Sequence, residues 1–169
     1  GYILSAMTWI IKRSWLIYLV YGKYNRRRWM PGKENHMNSF SCVITGHRPT
    51  RFKFKYNEKD KRCQRIKKCL QEQLIRLYNQ GVRCFWVGGA MGADMWAAEI
   101  LLRMKEQTAY QDVELCLALP FEGYDADWDD WHQKRMKFIR KYAARVLILG
   151  EMPLSENYKN RNYFMVDQA

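Results

Sequence analysis

Residues 83–99 of this chain read RCFWVGGAMGADMWAAE, and this stretch decides the fold. An apolar run typical of a buried strand passes through a glycine-rich turn into a helix that is apolar almost all round. Small residues let backbone amides come close to a ligand, and the start of a helix carries about half a positive charge. The turn suits a phosphate, although it matches neither the dinucleotide fingerprint nor the P-loop pattern. A tight strand-to-helix connection that binds nothing also uses such glycines.

The alternation of short apolar runs and helical stretches continues on both sides of this segment. Strands are predicted at 40–46, 83–88, 113–121 and 145–150. Helices are predicted at 59–79, 93–107 and 125–142, and from Ser155 onward. Such alternation implies right-handed crossovers and a parallel sheet. The predicted fold class is therefore α/β, a doubly wound, mostly parallel, Rossmann-like sheet with helices on both faces and its last strand or strands missing.

The predicted helix 125–142 has aspartates in its first turns and basic residues near its end, which complements the helix dipole. Its apolar stripe is aromatic and is expected to face the core. The stripe consists of Trp128, Trp131, Phe138 and Tyr142. His132 stands among charged neighbours and is expected on the surface.

Ligands of open parallel sheets bind at the carboxyl ends of the strands, where the strand order switches. We therefore expect the chemistry just after Ile44, Val87, Leu119 and Leu149. The first of these edges offers the Thr45 hydroxyl, the Gly46 amide and the Arg48 guanidinium. Arg suits phosphate because its planar fork donates two parallel hydrogen bonds. The alternative is a polar turn in which His47 only caps local backbone.

Asp94 and Glu99 are the acidic residues nearest the second edge. Five helical residues place them about 140° apart around the helix, so they do not form a catalytic pair. Two roles fit Asp94 alone: it binds a ribose hydroxyl, or it caps the helix. Capping is the commoner role. Glu99 is either a buried partner of an Arg or exposed.

Pro120, Phe121 and Glu122 follow the third strand, where the Phe121 ring is suited to stacking on a base and the Glu122 carboxylate to accepting hydroxyl groups. The predicted ligand-binding residues are Thr45, Gly46, His47, Arg48, Gly88, Gly89, Ala90, Gly92, Ala93, Asp94, Pro120, Phe121 and Glu122. No metal is predicted, because the five cysteines form no Cys-x-x-Cys pair and no His lies at ligand spacing. Catalytic residues are not identified.

The formal net charge is +12. Within 48–68, ten basic residues face only Glu58 and Asp60. This basic segment consists of Arg48, Arg51, Lys53, Lys55, Lys59, Lys61, Arg62, Arg65, Lys67 and Lys68. Such a segment attracts phosphate on a small ligand or on a polymer, and it is equally typical of a solvated helix face beside a basic loop.

Residues 1–36 form a leader with seven Lys or Arg and a single Glu. Lys12 and Arg13 interrupt its apolar run, so it is too short to span a membrane, and its charges lie on the wrong side for a secretory signal. We expect a non-native segment, with an interfacial helix as the alternative, ahead of a truncated domain at 37–169. An odd number of cysteines, three of them in strand-like runs, favours reduced thiols and the cytoplasm.

Four stretches in order resemble the YpsA-like members of the SLOG superfamily: 45–49 (TGHRP), 88–99 (GGAMGADMWAAE), 119–121 (LPF) and 161–167 (RNYFMVD). The resemblance covers about 37–169. It implies a Rossmann-like fold that binds nucleotides or their derivatives, with the first loop, Gly88, Gly89, Gly92 and Asp94 lining the pocket. Relatives include the cytokinin-activating phosphoribohydrolases and the DNA-processing protein A group.

Members of the superfamily normally continue into another strand and a glycine-threonine loop, which this chain lacks. Enzymatic activity therefore does not follow from the resemblance. The leading hypothesis is a module that senses or binds a nucleotide-derived phosphate ligand. The alternatives are a nucleotide hydrolase and a protein that binds single-stranded nucleic acid. A homo-oligomer is compatible with the sequence, and the ligand itself is not identified.

Overall fold

The computed structural model describes residues 7–10, 17–23, 40–151 and 155–168. Six strands form one sheet: β1 Met7–Ile10, β2 Ile17–Lys23, β3 Phe40–Gly46, β4 Val82–Val87, β5 Glu114–Leu119 and β6 Arg145–Ile148. Four helices follow β3 to β6 in turn: α1 Lys61–Asn79, α2 Ala93–Lys105, α3 Asp130–Tyr142 and α4 Ser155–Gln168. Each predicted strand and helix of the domain is present. None of the described helices has the length and hydropathy needed to cross a membrane.

Strands β3 to β6 are parallel and lie side by side in the order in which the chain visits them. Ile44 pairs with Val87, Val87 with Leu117, and Leu119 with Ile148, so the carboxyl ends of these strands meet at one edge. The Rossmann-like α/β fold with a mostly parallel sheet is thereby confirmed. Within β3 to β6 the strand order does not reverse, so adjacency of the loops, and not a reversal, creates the candidate site.

Alternate residues of each strand face opposite sides of the sheet, because side chains in a strand alternate. Ile44, Phe85 and Leu117 pack in one buried cluster with residues of α1, α2 and α3. Val43, Trp86 and Ala118 pack in a second cluster with Met165 of α4. Three helices therefore cover one face and α4 covers the other, which confirms the prediction of helices on both faces.

The described parts of the leader are strands, which the sequence analysis does not predict. β2 runs antiparallel to β3 from Ile17, opposite Gly46, to Lys23, opposite Phe40. β1 is antiparallel to β2. The boundary between leader and domain near residue 37 stays a prediction.

The start and the buried face of α3 differ from the prediction. Asp129 caps the helix by accepting a hydrogen bond from the His132 amide at 3.1 Å, so Asp125 lies in the turn before the helix. The core face consists of His132, Met136 and Ile139. Three aromatic residues expected in the core are instead about half exposed: Trp131, Phe138 and Tyr142. His132, expected on the surface, is buried and its Nδ1 lies 2.6 Å from Asp129 Oδ2.

Ile139→Ala and Phe138→Ala test this orientation of α3 with neighbouring residues. Ile139 is fully buried, so its truncation should reduce the free energy of unfolding by roughly 2–4 kcal/mol. Phe138 is 52% exposed, and its truncation should cost less than about 1 kcal/mol. Urea unfolding of both variants measures the difference. A larger loss for Phe138→Ala would mean that the aromatic stripe faces the core after all.

Candidate functional site

The loops that follow β3 and β4 lie side by side at the carboxyl edge of the sheet, where the sequence predicts the chemistry. The Gly46 amide donates a hydrogen bond to Asp94 Oδ1 at 3.1 Å, and the Ala93 amide donates to the His47 carbonyl oxygen at 3.2 Å. Gly92 has φ of +91°, and a Cβ there would lie 2.6 Å from the His47 oxygen. Glycine at this position therefore permits the close contact between the loops.

Asp94 is buried, with 2% of its surface exposed. Its Oδ2 accepts a long hydrogen bond of 3.4 Å from the Ala90 amide. Burial raises the pKa of Asp94 to about 6, while the nearby Arg161 and the amides of Ala90 and Gly46 oppose the rise. Neither oxygen accepts a hydrogen bond from an amide of α2, so of the two roles considered for Asp94 the structure excludes the helix cap. The carboxylate instead joins the β3 loop to the β4 loop.

The first amides of α2 already have acceptors inside the protein. Besides the bond from Ala93, the Met95 amide donates to the Ala90 carbonyl at 3.2 Å, and the Trp96 amide donates to Gly92 at 3.0 Å. Asp94 adds a negative charge to the same turn. The start of α2 therefore attracts an anion less strongly than the sequence of the helix suggests. Attraction of an anionic ligand to this site would have to come from side chains.

Arg161 of α4 supplies such a side chain and was not among the predicted ligand-binding residues. It is 7% exposed, and its Nη1 donates to the Gly88 carbonyl oxygen at 3.0 Å. A Cβ on Gly88 would lie 3.0 Å from the guanidinium carbon and 2.9 Å from Asp94 Oδ2, so the glycine makes room for both charged groups. Burial lowers the pKa of Arg161, and the Asp94 carboxylate opposes that shift.

Arg48 and Arg161 approach the same aromatic ring. Their guanidinium carbons lie 5.8 and 5.7 Å from the centre of the Tyr158 ring. Phe121, which follows β5, meets that ring edge-on with centres 5.7 Å apart. The Tyr124 hydroxyl donates to the Gly89 carbonyl oxygen at 2.7 Å. Residues from the loops after β3, β4 and β5 thus converge with α4, and we call this group the arginine cleft.

The other predicted residues take different positions. Thr45 is half-buried beside Gly46, and Pro120 is buried beside Phe121. The His47 ring lies next to Phe52, with centres 5.9 Å apart. The two other acidic residues considered in the sequence, Glu122 and Glu99, form ion pairs with arginines of α3. Glu122 is exposed and pairs with Arg140 at 3.4 Å, whereas Glu99 is partly buried and pairs with Arg135 at 2.6 Å.

Arg161 had a signal in the sequence, because it opens the stretch 161–167 that carries part of the family resemblance. Tyr158 and Tyr124 had none, since their roles come from contacts with distant residues. Arg161 and Gly88 are 73 positions apart. Only packing of α4 on the sheet brings them together.

One group in the described part of the chain has the donor atoms of a metal site. Cys84, Glu114 and Cys116 place their ligand atoms within 4.8 Å of one another on the face covered by α4. The hydrogen bond between the Cys116 and Cys84 thiols, together with burial, raises the pKa of Cys116, and Glu114 pairs with Arg145 at 3.0 Å. A protonated thiol and an ion-paired carboxylate are poor cation ligands, so this group fits reduced core thiols better.

Comparison with known proteins places the chain among relatives of similar sequence. Residues 42–169 match the model of the YspA SLOG family. The UPF0398 protein YpsA of Bacillus subtilis (strain 168) is 24% identical over 129 residues, which cover 75% of this chain and 70% of that protein. A UPF0398 protein of Oenococcus oeni is 32% identical over 106 residues, 62% of this chain and 53% of that protein. One from Shouchella clausii is 29% identical over 131 residues, 76% of this chain and 69% of the relative.

Gly92→Ala tests the contact between the two loops. Its Cβ would require an unfavourable backbone conformation and would overlap the His47 oxygen, so the free energy of unfolding should fall by roughly 2–4 kcal/mol. Gly123→Ala is the matched control, because Gly123 also has positive φ, +71°, but has open space around it. The control should lose only about 1 kcal/mol. Equal losses in denaturant unfolding would show that the loops do not press on each other at Gly92.

Asp94→Asn tests the raised pKa through the pH dependence of stability. The ordinary pKa is 3.8 and the folded value is about 6, so the folded state binds more protons between these values. Its contribution to stability is present below pH 4 and is lost as the pH rises through 6. From pH 4 to pH 7 the wild type should lose roughly 2 kcal/mol relative to Asp94→Asn. A difference between the two proteins that is constant with pH would contradict the assignment.

Proposed function

This chain belongs to the YspA SLOG family, and on that premise we propose that it binds a nucleotide or a nucleotide-derived phosphate ligand in the arginine cleft, as a sensor or regulatory module. One observation carries the proposal. Arg48 and Arg161, from opposite ends of the domain sequence, meet at the Tyr158 ring beside the glycine loop. Guanidinium groups favour phosphate because they combine charge with paired N–H donors.

The position of the cleft supports a ligand site. It lies at the carboxyl edge of the parallel strands, where ligands of open α/β sheets bind. Arg48 is exposed, and its guanidinium forms no ion pair with any carboxylate in the described part of the chain. Its charge is therefore accessible to an anion from solvent.

The arrangement of carboxylates favours binding over hydrolysis. Within the described residues, Asp94 is the one buried carboxylate of the cleft, and both of its oxygens accept backbone amides. Glu122 and Glu99 are engaged with arginines of α3. Acid-base hydrolysis of a nucleotide generally needs a carboxylate or imidazole free to move a proton at the reacting bond. Within the described residues, no carboxylate of the cleft is free in this way.

The thiols support a reducing cytoplasm as the place of this activity. All five cysteines are free, four of them are buried, and Cys84 Sγ lies 3.4 Å from Cys116 Sγ without a disulfide bond. Unpaired thiols at this separation suit a compartment that keeps them reduced.

Thermal unfolding with a panel of nucleotides tests the proposal. A ligand at 100 times its Kd should add about 2.7 kcal/mol of stability, which raises the Tm by several degrees in a domain of this size. Arg48→Ala should remove most of the rise. Arg51→Ala is the control, because it deletes the same charge from the same exposed turn without touching Tyr158. The proposal fails if no nucleotide raises the Tm, or if both variants respond like the wild type.

A further inference from the structure

Resting on the proposed function, we propose that the arginine cleft takes the terminal phosphate of a phosphomonoester, held between the buried Arg161 and the exposed Arg48. The inference narrows the ligand class to compounds such as nucleoside monophosphates. It disfavours cyclic nucleotides and internal phosphodiesters, whose phosphate has two free oxygens and one charge.

Arg161 retains unused hydrogen-bonding capacity although it is buried. A guanidinium has five N–H donors. Nη1 uses one on the Gly88 carbonyl oxygen, while Nε and Nη2 each use one on the Asn162 side-chain oxygen, at 3.1 and 3.0 Å. Two N–H groups, one on each terminal nitrogen, have no acceptor in the described part of the chain. Buried polar groups are seldom left unpaired, so a ligand oxygen is their natural acceptor.

The charge of Arg161 is also incompletely balanced. It forms no ion pair within 40–151 or 155–168, and the acceptors that it does use, a carbonyl and an amide oxygen, are neutral. Asp94 is the nearby carboxylate, and its oxygens are already committed to the Gly46 and Ala90 amides. Burying an unpaired cation is costly. An anion that enters the cleft removes that cost.

The two arginines carry more positive charge than the single carboxylate of Asp94 can balance. Two guanidinium groups stand against one carboxylate, and an anion nearby favours the protonated form of Asp94 still further. A phosphomonoester has three terminal oxygens that share about two charges at neutral pH, enough for each arginine to bind its own oxygen. A phosphodiester offers half the charge to the same pair of cations.

The difference in burial between the two arginines indicates that the site binds the end of a ligand. Arg161 is 7% exposed and packs against the Gly88 backbone, whereas Arg48 is exposed. A phosphate that contacts both has one side against the protein floor and the other toward solvent. A terminal phosphate fits this geometry, because only one of its oxygens continues into the rest of the molecule.

Calorimetric titration of the full chain compares three compounds for each of the four common bases: the nucleoside, its 5′-monophosphate and its cyclic 3′,5′-monophosphate. Ribose 5-phosphate is the base-free arm. The monophosphate of at least one base should bind at least 10-fold more tightly than the corresponding cyclic compound. Arg161→Gln should abolish that preference. Arg48→Ala should remove most of that preference, and this variant provides the test if Arg161→Gln does not fold.

The possible outcomes separate this inference from the proposed function. A cyclic nucleotide that binds as tightly as the monophosphate would overturn the inference and leave nucleotide binding intact. If ribose 5-phosphate binds as tightly as every nucleotide, recognition of a terminal phosphate is upheld, but the proposal that the ligand is a nucleotide is overturned. Absence of binding by all of these compounds would overturn the inference, and the thermal unfolding panel then decides nucleotide binding separately.

Discussion

The hydrogen bond from the Gly46 amide to the Asp94 carboxylate sets the distance between the loops after β3 and β4, and the arrangement of the cleft depends on it. Burying this carboxylate is unfavourable, and its raised pKa reports that cost. Two backbone amides, the positive start of α2 and the nearby Arg161 offset it. Gly92 is the steric counterpart of this bond, because a side chain there would separate the two loops.

The negative charge of Asp94 also affects where the proposed anionic ligand would be attracted. Asp94 occupies the Gly46 and Ala90 amides and places a negative charge in the first turn of α2. The positive end of the α2 dipole is therefore balanced within the protein and attracts a ligand only weakly. For the proposed ligand, positive charge would come instead from Arg161, which Asp94 helps to keep charged despite its burial, and from Arg48. The glycine loop provides the space for this arrangement, since Gly88 leaves room for both charged side chains.

Local features of the fold could be predicted from the sequence, because β3 to β6 are short apolar runs and α1 has a clear apolar face. The adjacency of the two loops followed from the parallel sheet alone. The buried face of α3 could not be predicted, because Trp131, Phe138 and Tyr142 share one stripe while His132, Met136 and Ile139 share another. Size and hydropathy favoured the aromatic stripe. The cap at Asp129 and the packing of Met136 and Ile139 on the sheet selected the other.

Arg161 shows why the cleft itself was only partly predictable. The helix that carries it packs on the opposite face of the sheet from α2, through Met165 and Phe164 against residues such as Trp86. Arg161 reaches the strand ends from that face, so the cleft is complete only when α4 is docked. A ligand that contacts Arg48 on one side and Arg161 on the other must therefore stabilise the docked helix by the free energy of that binding. Under the proposed function, occupancy of the cleft and the packing of α4 would be thermodynamically linked, as a sensor requires.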